Sequence, residues 1–504
     1  MGGMRAAGVL LLAALAAACG GAGGASGGDP GRDLPADVSP DPGGDPRDTT
    51  QPADLTTDAG TADARDAAEG SAPPDAADGL DATGPVDVPN DPGALDPGAT
   101  DLPADPGAPD VGEPWPLPTL APDPPAPCPE ADADPYYFQF LDDTCHAKRW
   151  PALVDRDFAC PVVDLSAQVP GADGAWLPFA DAGSPVAVDG QALEELDLPA
   201  GLRVVLVEIV RVDGVPHFRY VSNGTDQQAL QPWSSTKFLA VANAAARLRI
   251  ASDYTVGLTA RVGGLPVGDY VTSIHTYDDD PYSSNGLAAW FHDVGGHQRA
   301  NDLVHDLWLH RPASETFGGN YGAAAAPLPF TFVEAGGASV TLAADTSAAP
   351  ANHLSVFTLA EALKRLVLHR EVASQRLPGL QWLDVKTLLY GAEGSAKYGP
   401  WGGMSADTAI YLQAAHDLDY LDARSQGRWR VFSKLGLGSE GQFVHVGYAC
   451  WPVLDDAGEP LPGRGRELVI AAQLAGGGAS WAERDRLLAR AYRTLMIRVL
   501  DAWL

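Results

Sequence analysis

The chain is 504 residues long and carries 56 Gly, 43 Pro and a formal net charge of −33, too many acidic and chain-breaking residues for one compact body. Residues 20–127 alone hold 22 Asp or Glu against three Arg, which leaves roughly 375 residues, enough to bury a full core without a metal or a second chain. An acidic surface argues against nucleic acid or anionic lipid as a partner.

At the N-terminus Arg5 precedes an apolar run over 9–18, and small residues lead into Cys19. This is the layout of an export signal, and the run is too short to span a bilayer. Residues 20–127 repeat Asp-Pro-Gly, Asp-Pro and Ala-Asp themes almost without aromatic or β-branched clusters. Such a composition cannot offset chain entropy, so a disordered tether with a reach of about 60 Å is expected. Residues 128–185 read as an entry segment that caps the folded domain, which begins near residue 186. With Cys19 set aside, Cys128, Cys145, Cys160 and Cys450 remain. An even number in an exported protein permits two disulfides, and three pairings are open. Cys450 is the partner that would fasten the entry segment to the main sheet.

The folded part opens with a β-rich run over 201–211, the turn Asp213-Gly214 and an alternating run over 217–222, a two-stranded antiparallel unit. Helical signals follow over 238–250, 287–308 and 359–368. Strand signals return over 428–434, 443–453 and 467–474, and an amphipathic helix over 482–504 closes the chain. Two strands, a long helical insertion, three strands and a last helix predict one mixed sheet with helices on its faces.

Three short motifs carry chemistry in this frame. Ser234 and Lys237 form a Ser-x-x-Lys at the start of a helix, so hydroxyl and amine share one face. Ser283, Ser284 and Asn285 give a Ser-x-Asn, and Lys434-Leu435-Gly436 a Lys-x-Gly at a strand end. Taken singly, Ser234 is as well explained as a helix cap. A second Lys-x-Gly, Lys397-Tyr398-Gly399, lacks the pair of strands that follows Lys434. The histidines 292, 297, 305 and 310 share no helix face, so no metal site is expected. No glycine-rich phosphate loop or Gly-x-Ser-x-Gly elbow occurs, and no cofactor is expected.

In this order, and with Tyr282 to Ala289, Val294-Gly295-Gly296 and the helix to Trp308 between them, the motifs resemble the penicillin-recognising serine hydrolases, the class A β-lactamases and DD-peptidases. The resemblance covers roughly residues 186–504. It implies an α/β, β-lactamase-like mixed antiparallel sheet flanked by helices, with an inserted all-helical subdomain over about 234–427. It implies Ser234 as nucleophile, Lys237 as its base and Ser283 as proton relay to the leaving group. Asn285 would hold a substrate amide, and Lys434 would lower the amine pKa or attract a substrate carboxylate. The backbone N–H groups of Ser234 and Leu437 would form the oxyanion hole beside Gly436. Leu435 stands where the family carries a threonine or serine, implying an apolar wall and substrates without a carboxylate. Glu315, with Asn320 five residues on, lies near the family's deacylating glutamate, although the family spacing is four. Residues 15–18 before Cys19 resemble the lipobox of bacterial lipoproteins, implying lipid on Cys19 and a membrane-anchored domain facing the periplasm or cell surface.

The expected partner is a small peptide, ester or cell-wall-like substrate cleaved through an acyl-enzyme; the alternative is a binding protein that keeps the fold without turnover. Deleting residues 20–127 should leave the melting temperature and activity of the remaining protein unchanged, because a solvated spacer contributes no core. Differential scanning calorimetry of the full and shortened chains checks this, and a large fall in melting temperature would show that the segment packs on the domain.

Overall fold

The computed structural model describes residues 148–500 other than 158, 163–167, 171–175, 346, 348–349, 415–417 and 477–479. The expected signal, tether, Cys19, Cys128 and Cys145 lie outside the described residues.

In chain order the strands and helices are β1 (Gln168–Pro170), β2 (Trp176–Pro178), β3 (Ala180–Asp181), β4 (Val188–Asp189), β5 (Leu202–Val212), β6 (Val215–Ser222), α1 (Lys237–Ala251), β7 (Arg261–Val262), β8 (Leu265–Pro266), α2 (Val267–Thr276), α3 (Ser284–Gly295) and α4 (His297–Asp302). They continue with β9 (Thr331–Val333), β10 (Ser339–Thr341), α5 (Val356–Val367), α6 (Trp382–Tyr390), α7 (Tyr411–Ala414), α8 (Leu418–Ser425), β11 (Arg430–Leu437), β12 (Phe443–Trp451), β13 (Arg466–Leu474) and α9 (Trp481–Leu500).

The main sheet has the order β11-β12-β13-β5-β6-β3, with β4 parallel to β6 and the other pairs antiparallel. The fold is therefore α/β, a mixed and mostly antiparallel sheet flanked by helices. β5, LRVVLVEIVRV, is buried on both faces along most of its length, as suits a β-branched central strand. Asp213 and Gly214 both take positive φ, 52° and 77°, the backbone that a two-residue hairpin turn requires. One face of the sheet, through Val205, Val207, Val469 and Ala471, packs on the core that holds α1, α3 and α5. The other, through Leu206, Leu468 and Ile470, packs under Leu488, Tyr492 and Leu495 of α9.

The insertion between β6 and β11 is mainly helical but not wholly so. Four short strands, β10-β9-β7-β8, form a small second sheet there. Their runs of two or three residues are too short to show an alternating pattern in the sequence. α1 and α3 approach closely: a Cβ on Gly295 would lie 2.5 Å from Asn243 Nδ2. The insertion is tied by a buried pair in which Arg249 Nε and Nη2 donate to Asp384 Oδ2 and Oδ1 at 2.8 and 2.9 Å. Asp384 also accepts from Leu258 N at 2.9 Å, so one carboxylate joins α1, the start of α6 and the chain before β7.

The entry segment lies against the insertion and the β11 end of the sheet. Arg149 pairs with Asp419 and Asp422 at 2.7 and 2.8 Å, and Arg430 Nη2 donates to Leu153 O at 3.0 Å. The Cys160–Cys450 disulfide fastens the segment to β12 across 290 residues.

Asp384→Asn should cost about 3–5 kcal/mol, because it leaves the guanidinium of Arg249 buried without its counter-charge. Urea unfolding of the full chain checks this, and a cost under about 1 kcal/mol would show that the pair is not the fastening it looks like.

Candidate active site

A 3₁₀ turn over Trp233–Thr236 delivers the chain from Pro232 into α1. Trp233 takes φ 50°, a left-handed backbone uncommon for a bulky residue. It turns the next side chain, Ser234, into a half-buried position. The neighbouring hydroxyls are tied to the backbone: Ser235 Oγ donates to Pro232 O at 2.6 Å, and Thr236 Oγ1 to Trp233 O at 3.1 Å. Lys237, the first residue of α1, is fully buried. It lies one turn from Ser234 on the same helix face.

Lys237 Nζ donates to Ser284 Oγ at 2.8 Å and to Asn285 Oδ1 at 2.7 Å. Ser284 Oγ passes its own proton to Ile274 O at 2.9 Å, so toward the amine it is an acceptor. Burial, and next the positive charge of Lys434, hold the Lys237 amine well below the ordinary lysine value of 10.5, while Asp279 pulls weakly the other way. An uncharged amine has two hydrogens; both have acceptors here, and its lone pair is left over. The rings of Tyr277 and Tyr321 stand 5.4 and 5.5 Å from the nitrogen.

The second lysine comes from the edge strand. Lys434 Nζ donates to Tyr277 Oη at 2.6 Å, to Leu435 O at 3.1 Å and to Asp407 Oδ1 at 3.2 Å. Tyr277 follows α2 as its left-handed C-cap, φ 53°, which sends the phenol back toward Ser234. Its hydroxyl donates to Leu435 O at 2.7 Å and also hydrogen-bonds the Ser234 side chain. Burial pushes the phenol above its ordinary value, against the opposing effects of Lys434 and Ser234. Burial alone would raise the Asp407 carboxyl as well, but Lys434, aided by Lys148 and two histidines, holds it below the usual range. Gly436 lies where β11 passes under the helix start: a Cβ there would sit 2.7 Å from Ser235 N and 2.9 Å from Ser234 N. Leu435 N–H faces the open edge, toward Asp407 Oδ1 at 3.4 Å. Two residues on, Leu437 N–H faces the same edge.

The structure thus brings together Ser234, Lys237, Asn285, Lys434, Gly436 and Leu437, and it redirects three expectations. Ser283 is exposed and caps α3, its Oγ accepting from Gly286 N at 3.1 Å, while Ser284 turns inward to Lys237. With two adjacent serines the motif's phase was ambiguous, and an N-cap points back at its own helix. The side chain of Leu435 is no wall of the site. It packs beneath α9 in the cluster with Phe443 and Leu488, because successive strand residues face opposite sides of the sheet. Glu315 is committed elsewhere, accepting from Arg311 at 2.9 Å and from Ser355 N at 3.0 Å at the start of α5.

Lys397 pairs with Asp278 and Asp280 at 3.0 and 3.1 Å rather than taking the place of Lys434. Among the described residues no group of histidine, cysteine or carboxylate side chains is placed to hold a metal. His292 is buried and stacked on His297, and burial takes its pKa down to about 3. Tyr277 and Asp407 were missed by sequence reasoning. Neither carries a local motif, since they reach Lys434 from 157 and 27 positions away.

No protein-family model and no curated protein matches the chain. Solved structures do align with it. A class A β-lactamase from Mycobacterium abscessus is 14% identical with a TM-score of 0.36, over 61% of this chain and 96% of that one. A class A β-lactamase described as the last common ancestor of Gram-negative bacteria is 15% identical with a TM-score of 0.36, over 61% and 98%. A β-lactamase from Burkholderia ambifaria is 14% identical with a TM-score of 0.35, over 58% and 92%.

Proposed function

We propose that the chain is a serine hydrolase that cleaves an amide or ester through an acyl-enzyme on Ser234. The observation that carries this reading is the buried Lys237 amine, its pKa held well below the ordinary lysine value by burial and then by Lys434, hydrogen-bonded to Ser284 Oγ and Asn285 Oδ1 one turn from the Ser234 hydroxyl. The two groups around Ser234 have their pKa values pushed in opposite directions, lysine down and tyrosine up. That divides the labour into a base and an acid.

In acylation Ser234 Oγ bonds to the carbonyl carbon and its proton passes to Lys237 Nζ. The developing oxyanion lies between the backbone N–H groups of Ser234 and Leu437. The bond to the leaving nitrogen or oxygen then breaks as that atom takes the phenolic proton of Tyr277, and Lys434 stabilises the phenolate. In deacylation water gives its proton to the phenolate and its hydroxyl to the acyl carbon, and the Lys237 ammonium returns a proton to Ser234 Oγ. Both groups end as they began, and no carboxylate such as Glu315 is required. Asn285, with Oδ1 engaged by Lys237, has its amide nitrogen left for a substrate carbonyl. Export, lipid on Cys19 and action on a cell-wall-like peptide or ester in the periplasm or at the cell surface belong to the same proposal.

A labelled fluorophosphonate on the purified chain should modify Ser234, as read by intact mass. Ser234→Ala should abolish labelling, and Lys237→Ala should suppress it by at least about 10³-fold with no further loss in the double variant, since the two act as one unit. A folded protein that no acylating probe labels would favour the binding-protein alternative.

Tyr277→Phe should lower ester turnover by about 10²–10⁴-fold, the usual worth of a positioned proton donor. It should do so less for esters with good leaving groups such as 4-nitrophenol; equal losses for good and poor leaving groups would remove Tyr277 from the acid role.

The wild-type acylation rate should fall on acidification, as Lys237 takes up a proton, at a pH well below the ordinary lysine value of 10.5. A rate still climbing toward pH 10 would mean that the amine is charged in the fold.

A further inference from the structure

We infer that this site takes neutral acyl donors and excludes those carrying a carboxylate beside the scissile bond; the inference rests on the hydrolase reading above. An ammonium has three hydrogens to donate, and those of Lys434 are all spent inside the protein, on Tyr277 Oη, Leu435 O and Asp407 Oδ1. Both side chains of the Lys434–Asp407 pair are wholly buried. Drawing Lys434 toward a substrate carboxylate would take from the wholly buried Asp407 its ion-pair partner and leave only the more distant charge of Lys148, and breaking a buried pair is strongly unfavourable.

The backbone of the edge strand offers nothing in its place. At Leu435 the outward N–H faces Asp407, and the outward C=O already accepts from Tyr277 and Lys434. The next outward donor, Leu437 N–H, is the one placed for the reacting oxygen. The Leu435 side chain lies on the far face of the sheet, so no side-chain hydroxyl comes from that position.

Charge around the mouth works in the same direction. Asp278, Asp279 and Asp280 follow Tyr277 directly, and Lys397 pairs with two of the three. Asp279 is partly buried and accepts from Ser284 N at 2.9 Å, close to the Lys237 amine. Lys148, the cation nearest Asp407 from the entry segment, donates to the Asp407 carbonyl oxygen. Three carboxylates against one exposed lysine leave this stretch net negative toward an incoming anion.

The test is a pair of esters matched in shape, 3-carboxyphenyl and 3-carbamoylphenyl phenylaceturate, whose leaving groups differ only in a carboxylate against a carboxamide. Release of the phenol by the full chain is expected to have a kcat/KM at least about tenfold higher for the carboxamide. Equal rates, or a faster carboxylate, would overturn the inference, as would failure of both esters on a protein whose Ser234 is labelled by fluorophosphonate. Absence of that labelling would instead overturn the hydrolase reading itself. Asp407→Asn, which leaves Lys434 without its buried counter-ion, should bring the ratio toward one by speeding the carboxylate ester; an unchanged ratio in a folded variant would show that Asp407 does not set the preference. The wild-type pair of esters decides the matter if that variant does not fold.

Discussion

The ammonium of Lys434 sits where four separate parts of the chain meet. It holds Tyr277 from the end of α2, Asp407 from the segment before α7 and the Leu435 carbonyl of its own strand, while its charge adds to burial in lowering the pKa of Lys237 at the start of α1. A positive charge cannot be buried without a partner, and Asp407 is what makes this one tolerable. The site is therefore a balance of charges closed within the protein. Lys434 and Asp407 neutralise each other, burial and Lys434 hold the Lys237 pKa well below the ordinary lysine value, and burial pushes the Tyr277 phenol above its own.

That balance depends on where the sheet ends. β11 is the last strand of the order β11-β12-β13-β5-β6-β3, so its outward backbone groups are left for other elements to satisfy. Above it, the helical insertion delivers α1 and the turn after α2. Beside it, Asp407 satisfies the edge. Gly436 is required because the strand runs so close beneath the start of α1 that a side chain would meet the backbone nitrogens of Ser234 and Ser235. The buried Arg249–Asp384 pair holds the insertion together far from the chemistry.

Much of this was legible in the sequence wherever a local pattern carried it. The Val-rich run of β5, the Asp-Gly turn after it, the three late strands and the final amphipathic helix all have periodic signatures. Ser234 with Lys237 is a short-range motif whose geometry follows from one helical turn. The phase of Ser283 and Ser284 was not legible, because either serine satisfies the spacing and only the cap hydrogen bond to Gly286 separates them. Leu435 was placed in the site by motif alone, whereas alternation along β11 sends it to the opposite face. Tyr277 and Asp407 come to Lys434 purely through tertiary folding, which no window of sequence reports. The small sheet inside the insertion has strands too short for any periodicity to show.

The Cys160–Cys450 bond has a further consequence, which is topological. It closes a loop of 290 residues, and Ser234, Tyr277, Asn285, Asp407 and Lys434 all lie within that loop. A single cut anywhere between the two cysteines leaves the two pieces covalently one molecule, so the parts of the site remain at high effective concentration for one another. Where a protease reaches the exposed turn around Lys397 before any buried strand, a nicked chain stays a whole one.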